Sequence, residues 1–171
     1  MSTEPNSIAS SLLPEFDLEM AGARKVLERV KDDDWAYKPH PKSFSMGELA
    51  GHVATIPAWL TSTLNDASFD VCPGGVPAEF PRPASAREAL AAFLEGVKEA
   101  RAALEATSDT EFAAPWSLLE NGKAFFTMPR AAVVRSFVMN HLIHHRAQLT
   151  VYLRLRGVPV PALYGPSADE S

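Results

Sequence analysis

Apolar residues recur at intervals of three or four in four separate segments, and this spacing constrains the fold more than any other feature of the chain. In residues 8–30 the repeated positions are Leu12, Phe16, Met20 (or Ala23) and Leu27. This period places apolar side chains on one face of an α-helix. The sequence therefore predicts an amphipathic helix in residues 8–30, with Pro14 in or near its first turn.

Three further segments carry the same period. The second begins at Ser45 and the third at Ser85, each with a glutamate three residues later, which is typical of a helix N-terminus. The fourth begins near Pro129, whose fixed φ suits a first helical turn. The expected stripe of the second segment is Leu49, His52, Ile56, Leu60 and Thr63; that of the third is Leu90, Phe93, Val97, Ala100 and Leu104; that of the fourth is Val134, Phe137, His141, His145, Gln148, Tyr152 and Leu155.

Four helices of this length predict an all-α protein, a four-helix bundle with one domain over residues 1–171. We expect a kink at Pro57 inside the second helix. The links at residues 66–85 and 108–127 are long, so they can cross an end of the bundle and do not force an up-down-up-down order. We expect no true sheet, because the strand-like stretch GKAFFTM could form no more than a short hairpin arm.

Charge and composition exclude several classes of function. The chain has 16 basic and 21 acidic residues, a net charge of -5, and no basic stripe, so we expect no nucleic-acid partner. No apolar run reaches the length of about 18 residues that a membrane span needs. The single cysteine, Cys72, rules out an internal disulfide, and we expect no secretory signal. These features together predict a cytoplasmic protein.

Three of the five histidines lie in the fourth segment, and two of them have the spacing of metal ligands. His141 and His145 are four residues apart, so their imidazoles lie on one helix face. His52 interrupts the apolar stripe of the second segment and is the candidate for a third ligand. A core histidine that only accepts and donates hydrogen bonds explains His52 equally well on spacing alone. We expect His144 to point about 100° away from His145, and His40 to be solvated.

Three other polar residues have two interpretations each. Glu48 either orients the ring of His52 or caps the second helix. Gln148 either lines the site or hydrogen bonds a neighbour, and Cys72 is either reactive or a spectator thiol. Because Leu142 stands where a zinc protease of the HExxH type has its glutamate, we do not expect such a protease.

The stretches MGELAGHVATIPAWL and NHLIHHRAQLTVYLR, with the ending RGVPVPALYGPSADE, resemble the DinB/YfiT-like metalloprotein family. The resemblance covers nearly the whole chain. It implies a four-helix bundle in up-down-down-up order that is often dimeric. It also implies one divalent metal ion, such as zinc, nickel or iron, on three histidines, which by position are His52, His141 and His145.

The resemblance also implies a function. Characterised relatives include transferases and isomerases that use low-molecular-weight thiols, such as bacillithiol or mycothiol. We therefore expect metal-dependent thiol transfer to a small electrophile, in a pocket with Trp59, Phe137 and Tyr152 as apolar walls. Two alternatives remain at this point: a metal-dependent hydrolase, and a non-catalytic protein that binds a metal or a ligand. We further expect the link at residues 66–85 to lie over the metal end of the bundle and to influence the choice of substrate.

The resemblance predicts a homodimer. Light scattering should give twice the mass of one chain at micromolar concentrations. A monomer throughout the micromolar to millimolar range would contradict this expectation.

Overall fold

The computed structural model describes residues 7–80 and 82–171, and most of them are helical. The helices are α1 (Ile8–Leu27), α2 (Met46–Asn65), α3 (Ala86–Ala106), α4 (Asp109–Ala113), α5 (Arg130–Val133) and α6 (Asn140–Leu155). A π-helical turn, Val134–Met139, joins α5 to α6 without a break. No helix in the described ranges combines the length and the apolar character that crossing a bilayer demands.

Serine side chains fix where the first three long helices begin. The hydroxyl oxygens of Ser7, Ser45 and Ser85 each accept the backbone N–H of the residue three positions later. At α2 the cap is reciprocal, since the Glu48 carboxylate accepts the N–H of Ser45 at 2.6 Å. These bonds satisfy N–H groups that have no partner within the helix. The helix starts predicted at Ser45 and Ser85 are therefore confirmed.

The direction of α1 relative to the other helices follows from its polar contacts. Asp17 of α1 accepts from Arg101 near the end of α3, and Asp32, beyond the end of α1, accepts from the N–H at the start of α3. The two helices are therefore antiparallel. Glu15 accepts from Arg135, and Glu19, one turn later, accepts from Arg146, so α1 runs parallel to the π turn and α6.

Packing at two glycines gives the direction of α2 relative to α3. Gly51, near the start of α2, lies beside Pro83, which precedes α3. Eleven positions into α3, a Cβ placed on Gly96 would stand 3.4 Å from Pro57, which lies well inside α2. The helices α2 and α3 are therefore parallel. The order up-down-down-up that the resemblance implied is confirmed, with α1 packed on α3 and α6, and α2 on the same two helices.

The expected helical bundle is present, but the expectation of no true sheet is wrong, because the links form a small three-stranded sheet. Its strands are β1 (Ser68–Asp70), β2 (Pro115–Glu120) and β3 (Lys123–Pro129), in the order β1-β2-β3. β2 and β3 are an antiparallel hairpin with a bulge between Leu118 and Leu119, and β1 pairs with β2 in parallel. The Asp70 carboxylate accepts three backbone N–H groups, one from Cys72 and two from the hairpin turn, which fastens the first link to the second.

The apolar stripe predicted for the fourth segment is also wrong. From the π turn onward, the buried positions lie one residue later in the chain than predicted. The side chains that face the core are Val134, Val138, Met139, Leu142, Leu149 and Leu153. Phe137 and Leu155, which we expected on that face, are 40% and 57% exposed. A π turn holds one residue more than an α turn, so it brings residues five apart, such as Val134 and Met139, onto one face. It thereby rotates the rest of the helix by about 100°, and His141 and His145 lie at the margin of the core.

A buried ion pair ties α6 to α1. Arg146 is 2% exposed and Glu19 is 4% exposed, and the guanidinium donates to the Glu19 carboxylate at 2.8 Å and to its backbone oxygen at 3.0 Å. The Tyr164 hydroxyl donates to the same carboxylate at 2.7 Å. Gly22 leaves the room that the guanidinium needs, since a Cβ there would lie 2.7 Å from Arg146 Nη1. Each buried charge is thus paired and hydrogen bonded, as burial requires.

Replacing Glu19 with alanine should lower the free energy of unfolding by about 3–5 kcal/mol, because Arg146 would remain buried without its counter-ion. Glu28→Ala is the matched control, since Glu28 forms an exposed pair with Arg24 next to the same helix, and such pairs contribute about 0–1 kcal/mol. Urea denaturation measures both values. Equal losses in the two variants would contradict the role of the buried pair.

Candidate metal centre

Three histidine side chains from two helices meet at one point of the bundle. His52 comes from α2, and His141 and His145 lie one turn apart on α6. His52 Nε2 lies 2.9 Å from His141 Nε2, and one ligand atom from each of the three rings lies within 4.8 Å of the others. The structure therefore brings together the three residues that the sequence singled out. Whether they bind a metal ion in solution stays a prediction.

The rings themselves are in contact. The centroid of His52 is 5.0 Å from that of His141 and 4.5 Å from that of His145, and the latter two are 4.6 Å apart. Trp59, two turns after His52 on α2, packs edge-on against His52 and His141 at 5.5 and 5.2 Å. All three histidines are half-buried, so the cluster has one apolar side and one side open to solvent.

The surroundings hold the imidazoles neutral at physiological pH. Burial, together with the neighbouring imidazoles, lowers the pKa of His52 and of His141 to about 4. Burial also lowers the pKa of His145. A neutral imidazole keeps a lone pair on one nitrogen, which is the form that coordinates a metal ion.

Gln148 orients the ring of His145. Its side-chain oxygen lies 2.8 Å from His145 Nδ1, so Nδ1 donates its proton and Nε2 keeps the lone pair. The amide nitrogen of Gln148 lies 3.1 Å from His144 Nε2. His144 is exposed and contacts His145 from outside the cluster, as the expected angle of about 100° between successive residues requires. Of the two interpretations of Gln148, the hydrogen bond to a neighbour is therefore the one observed.

The donor set fits a divalent metal ion. Imidazole nitrogens are ligands for zinc, nickel and iron, and bond lengths of about 2.0–2.1 Å for zinc allow two ligand nitrogens 2.9 Å apart to share one ion. Within the described residues, the acidic side chains and Cys72 take no part in this cluster. Three histidines could therefore hold an ion whose charge the protein leaves uncompensated.

The other candidate residues have roles away from the three histidines. Glu48 caps α2 and pairs with Lys38 at 3.3 Å, so it does not orient His52. His40 is exposed and accepts a hydrogen bond from the backbone N–H of Lys42. Cys72 is a free, half-buried thiol in the link after β1.

The link at residues 66–85 lies beside the histidines, as expected. Phe80 packs against Trp59 and against Phe69 of β1, with ring centroids 6.2 Å and 5.8 Å apart. The link therefore reaches Trp59, the residue that packs against His52 and His141.

Two of the three expected pocket walls make their main contacts elsewhere. Phe137 stacks on Phe126 of the hairpin at 4.6 Å. Tyr152 packs on Tyr37 and donates to the backbone oxygen of Phe44. Trp59 alone of the three is seen in ring contact with the histidines among the described aromatic pairs.

Sequence reasoning missed Phe44 and Phe80 as neighbours of the site. The ring centroid of Phe44 lies 6.2 Å from that of His52. Phe44 is 51% exposed, and Phe80 is 43% exposed. Both are aromatic residues in a polar or proline-rich link, which is the signal that could have identified them. The buried partner of Arg146 was missed as well, although an arginine directly after His145 is unusual in a core helix.

Comparison with known proteins shows which family of proteins this chain is similar to. A family model described as "DinB family" matches residues 1–171. An uncharacterized protein, YrdA, of Bacillus subtilis (strain 168) is 26% identical in an alignment over 166 residues, and the match covers 92% of this chain and 89% of YrdA.

Two crystal structures share the fold. One, of a DinB-like protein from Bacillus cereus ATCC 10987, is 23% identical with a TM-score of 0.72, covering 94% of this chain and 100% of the other. The second, of the DinB-like protein YjoA from Bacillus subtilis, is 19% identical with a TM-score of 0.68, covering 92% and 99%. At these identities the two structures support the fold alone.

Replacing His52, His141 or His145 with alanine should sharply reduce the divalent metal that purifies with the protein, because a site with two histidines holds a labile ion weakly. Elemental analysis of each variant measures this. His144→Ala is the matched control, since it removes the neighbouring imidazole of the same helix without removing a ligand. Full metal content in His52→Ala, or its loss in a folded His144→Ala variant, would refute the assignment.

Proposed function

The chain belongs to the DinB family, and we propose that it is a metal-dependent thiol transferase that acts on small electrophiles. The single observation that carries the proposal is the cluster of three neutral histidines with no carboxylate in it. The resemblance to a family with thiol-dependent members supplies the class of reaction. Zinc, nickel or iron suits the three nitrogen ligands.

The chemistry of the proposal needs a thiolate and a site that holds it. A divalent ion on three neutral ligands keeps its full positive charge, which lowers the pKa of a thiol ligand and favours the thiolate, the nucleophilic form. The protein contributes the three lone pairs, and the hydrogen bond from His145 to Gln148 holds one of them in place. Trp59 shields one side of the cluster from water.

Within the described residues, no carboxylate lies in the histidine cluster, and this supports thiol transfer over hydrolysis. A general base that takes a proton from water would matter more to a hydrolase than to a thiol transferase, and Glu48, the candidate from the sequence, is occupied by Ser45 and Lys38. Thiol transfer needs no such group once the thiol is ionised. The hydrolase and the non-catalytic binding protein are therefore outcomes that the assay must distinguish.

Metal-loaded protein should consume a small electrophile, such as 1-chloro-2,4-dinitrobenzene, only when a low-molecular-weight thiol is present. The assay should compare bacillithiol, mycothiol, glutathione, cysteine and coenzyme A. His52→Ala should reduce the rate to that of the uncatalysed reaction, whereas His144→Ala should retain it.

The alternatives give different results in the same assay. Hydrolysis of an ester or amide by metal-loaded protein without any thiol would indicate the hydrolase. Inactivity with every thiol and no hydrolysis, at full metal content, would indicate a binding protein and would overturn the proposed function.

A further inference from the structure

The tip of the hairpin formed by β2 and β3 is an Asn-Gly turn that is open to solvent. Asn121 and Gly122 are the two residues between the strands, and both have positive φ angles, 51° and 76°. This geometry is typical of a type I′ turn, which favours the Asn-Gly pair. Both residues are exposed, and a Cβ placed on Gly122 would meet no atom within 4 Å. Water therefore has free access to this turn.

An Asn-Gly pair is chemically labile. The backbone nitrogen of the glycine attacks Cγ of the asparagine side chain, and the absence of a glycine side chain leaves the path open. A new C–N bond forms, the bond from Cγ to the side-chain nitrogen breaks, and ammonia leaves with the proton of the glycine N–H. The resulting succinimide ring is opened by water to an aspartate or an isoaspartate. In this turn the attacking atom is the backbone nitrogen of Gly122.

A carboxylate from a distant part of the chain binds that nitrogen. Asp70 Oδ2 accepts the N–H of Gly122 at 2.7 Å, and Asp70 Oδ1 accepts the N–H of Asn121 at 3.0 Å. The N–H of Cys72 also donates to Oδ1, at 2.9 Å. These N–H groups, that of Cys72 foremost, hold the pKa of Asp70 below its usual value, so the carboxylate is ionised in neutral solution.

The bonds to Asp70 oppose ring closure in two ways. A hydrogen bond to a negative charge favours the protonated amide, so the nitrogen of Gly122 loses its proton less readily. Ring closure also moves this nitrogen towards the side chain of Asn121, and the turn must break its bonds to Asp70 to allow that movement. The reaction therefore proceeds from the locally opened turn, whose population Asp70 reduces.

We propose that Asn121 is a site of spontaneous deamidation and that Asp70 restrains the reaction by holding the N–H of Gly122. An aspartate at position 121 would carry a second negative charge on the residue whose backbone Asp70 binds. An isoaspartate would add a carbon atom to the backbone of the turn. Either product weakens the bonds between the turn and Asp70. The inference is independent of the metal centre and of thiol transfer.

The same bonds connect the turn to the link beside the histidines. Asp70 is the last residue of β1, and Phe69, directly before it, packs on Phe80, which packs on Trp59. Deamidation at the tip of the hairpin should therefore loosen the link at residues 66–85, although the modified residue does not touch the histidines.

Prolonged incubation of the folded protein in mildly alkaline buffer, followed by peptide mass spectrometry, measures the conversion at Asn121. Asp70→Ala should raise its rate at least about tenfold. A tenfold change equals about 1.4 kcal/mol, close to the lower end of what a hydrogen bond to a charged group contributes. Asp70→Asn retains an acceptor but removes the charge, so its rate should lie between those of the other two proteins.

Asp66→Ala is the matched control. Asp66 belongs to the same link, but its carboxylate accepts from Ser62 and not from the turn. This variant should deamidate like the unmodified protein. The full chain unfolded in guanidinium chloride gives the rate without restraint, which folded Asp70→Ala should approach. Circular dichroism must show equal helix content in the folded variants, and if Asp70→Ala fails to fold, Asp70→Asn carries the comparison.

Asn121→Asp imitates one of the two products. It should accelerate amide hydrogen exchange in residues 68–80 and leave the exchange of α1 unchanged, because only the link depends on the bonds to Asp70.

The outcomes that contradict the inference are distinct. Equal rates at Asn121 in the unmodified protein and in the folded Asp70 variants would overturn it. A slower reaction in those variants would also overturn it, since the carboxylate would then act as a base that promotes the attack. Neither result bears on the thiol assay.

Discussion

The buried pair of Arg146 and Glu19 fixes the rotation of α6 about its own axis, and the histidine cluster depends on that rotation. Arg146 and His145 are consecutive, so their side chains point about 100° apart. The guanidinium is bound to α1, and the imidazole consequently faces α2, where His52 lies. Any other rotation would leave two buried charges without partners, at a cost of several kcal/mol. One ion pair thus orients both ligands of α6.

The π turn solves a conflict between packing and ligand placement on the same helix. With a regular α-helical period, the face of Val134 would continue through Phe137, His141 and His145, and the imidazoles would lie inside the core. The additional residue in the turn brings Leu142 and Leu149 into the core instead. The histidines become half-buried and accessible. Such turns are frequent at functional sites, where they redirect side chains without ending the helix.

The features that could be predicted from the sequence depend on local interactions. The caps at Ser45 and Ser85 join residues three apart, and the stripe of α3 has an unbroken period, so both are readable in one stretch of sequence. The spacing of His141 and His145 is local in the same sense. They meet His52 because α2 and α6 pack against each other, with the histidines at the margin of the core that the two helices share.

The features that could not be predicted depend on contacts between distant residues or on a change of period. β1 has three residues, and it pairs with β2 almost fifty positions later, which leaves no alternating pattern to recognise. The π turn breaks the period of 3.6 on which the stripe of the fourth segment was based. The partner of Arg146 is 127 residues away. The sequence indicates a charged residue there, but only the fold shows that it is buried.

Partial burial of the histidines gives the site its chemical character. Burial is sufficient to lower the pKa of His52 and His141 to about 4, so the ligands stay neutral, and an ion bound by them would keep its charge. Exposure is sufficient to leave that charge facing solvent, next to Phe44 and Phe80 rather than next to a carboxylate. A fully buried cluster would admit no ligand, and a fully exposed one would be protonated more readily and surrounded by water. The intermediate position that the π turn and the Arg146 ion pair produce therefore keeps the imidazoles both neutral and accessible from solvent.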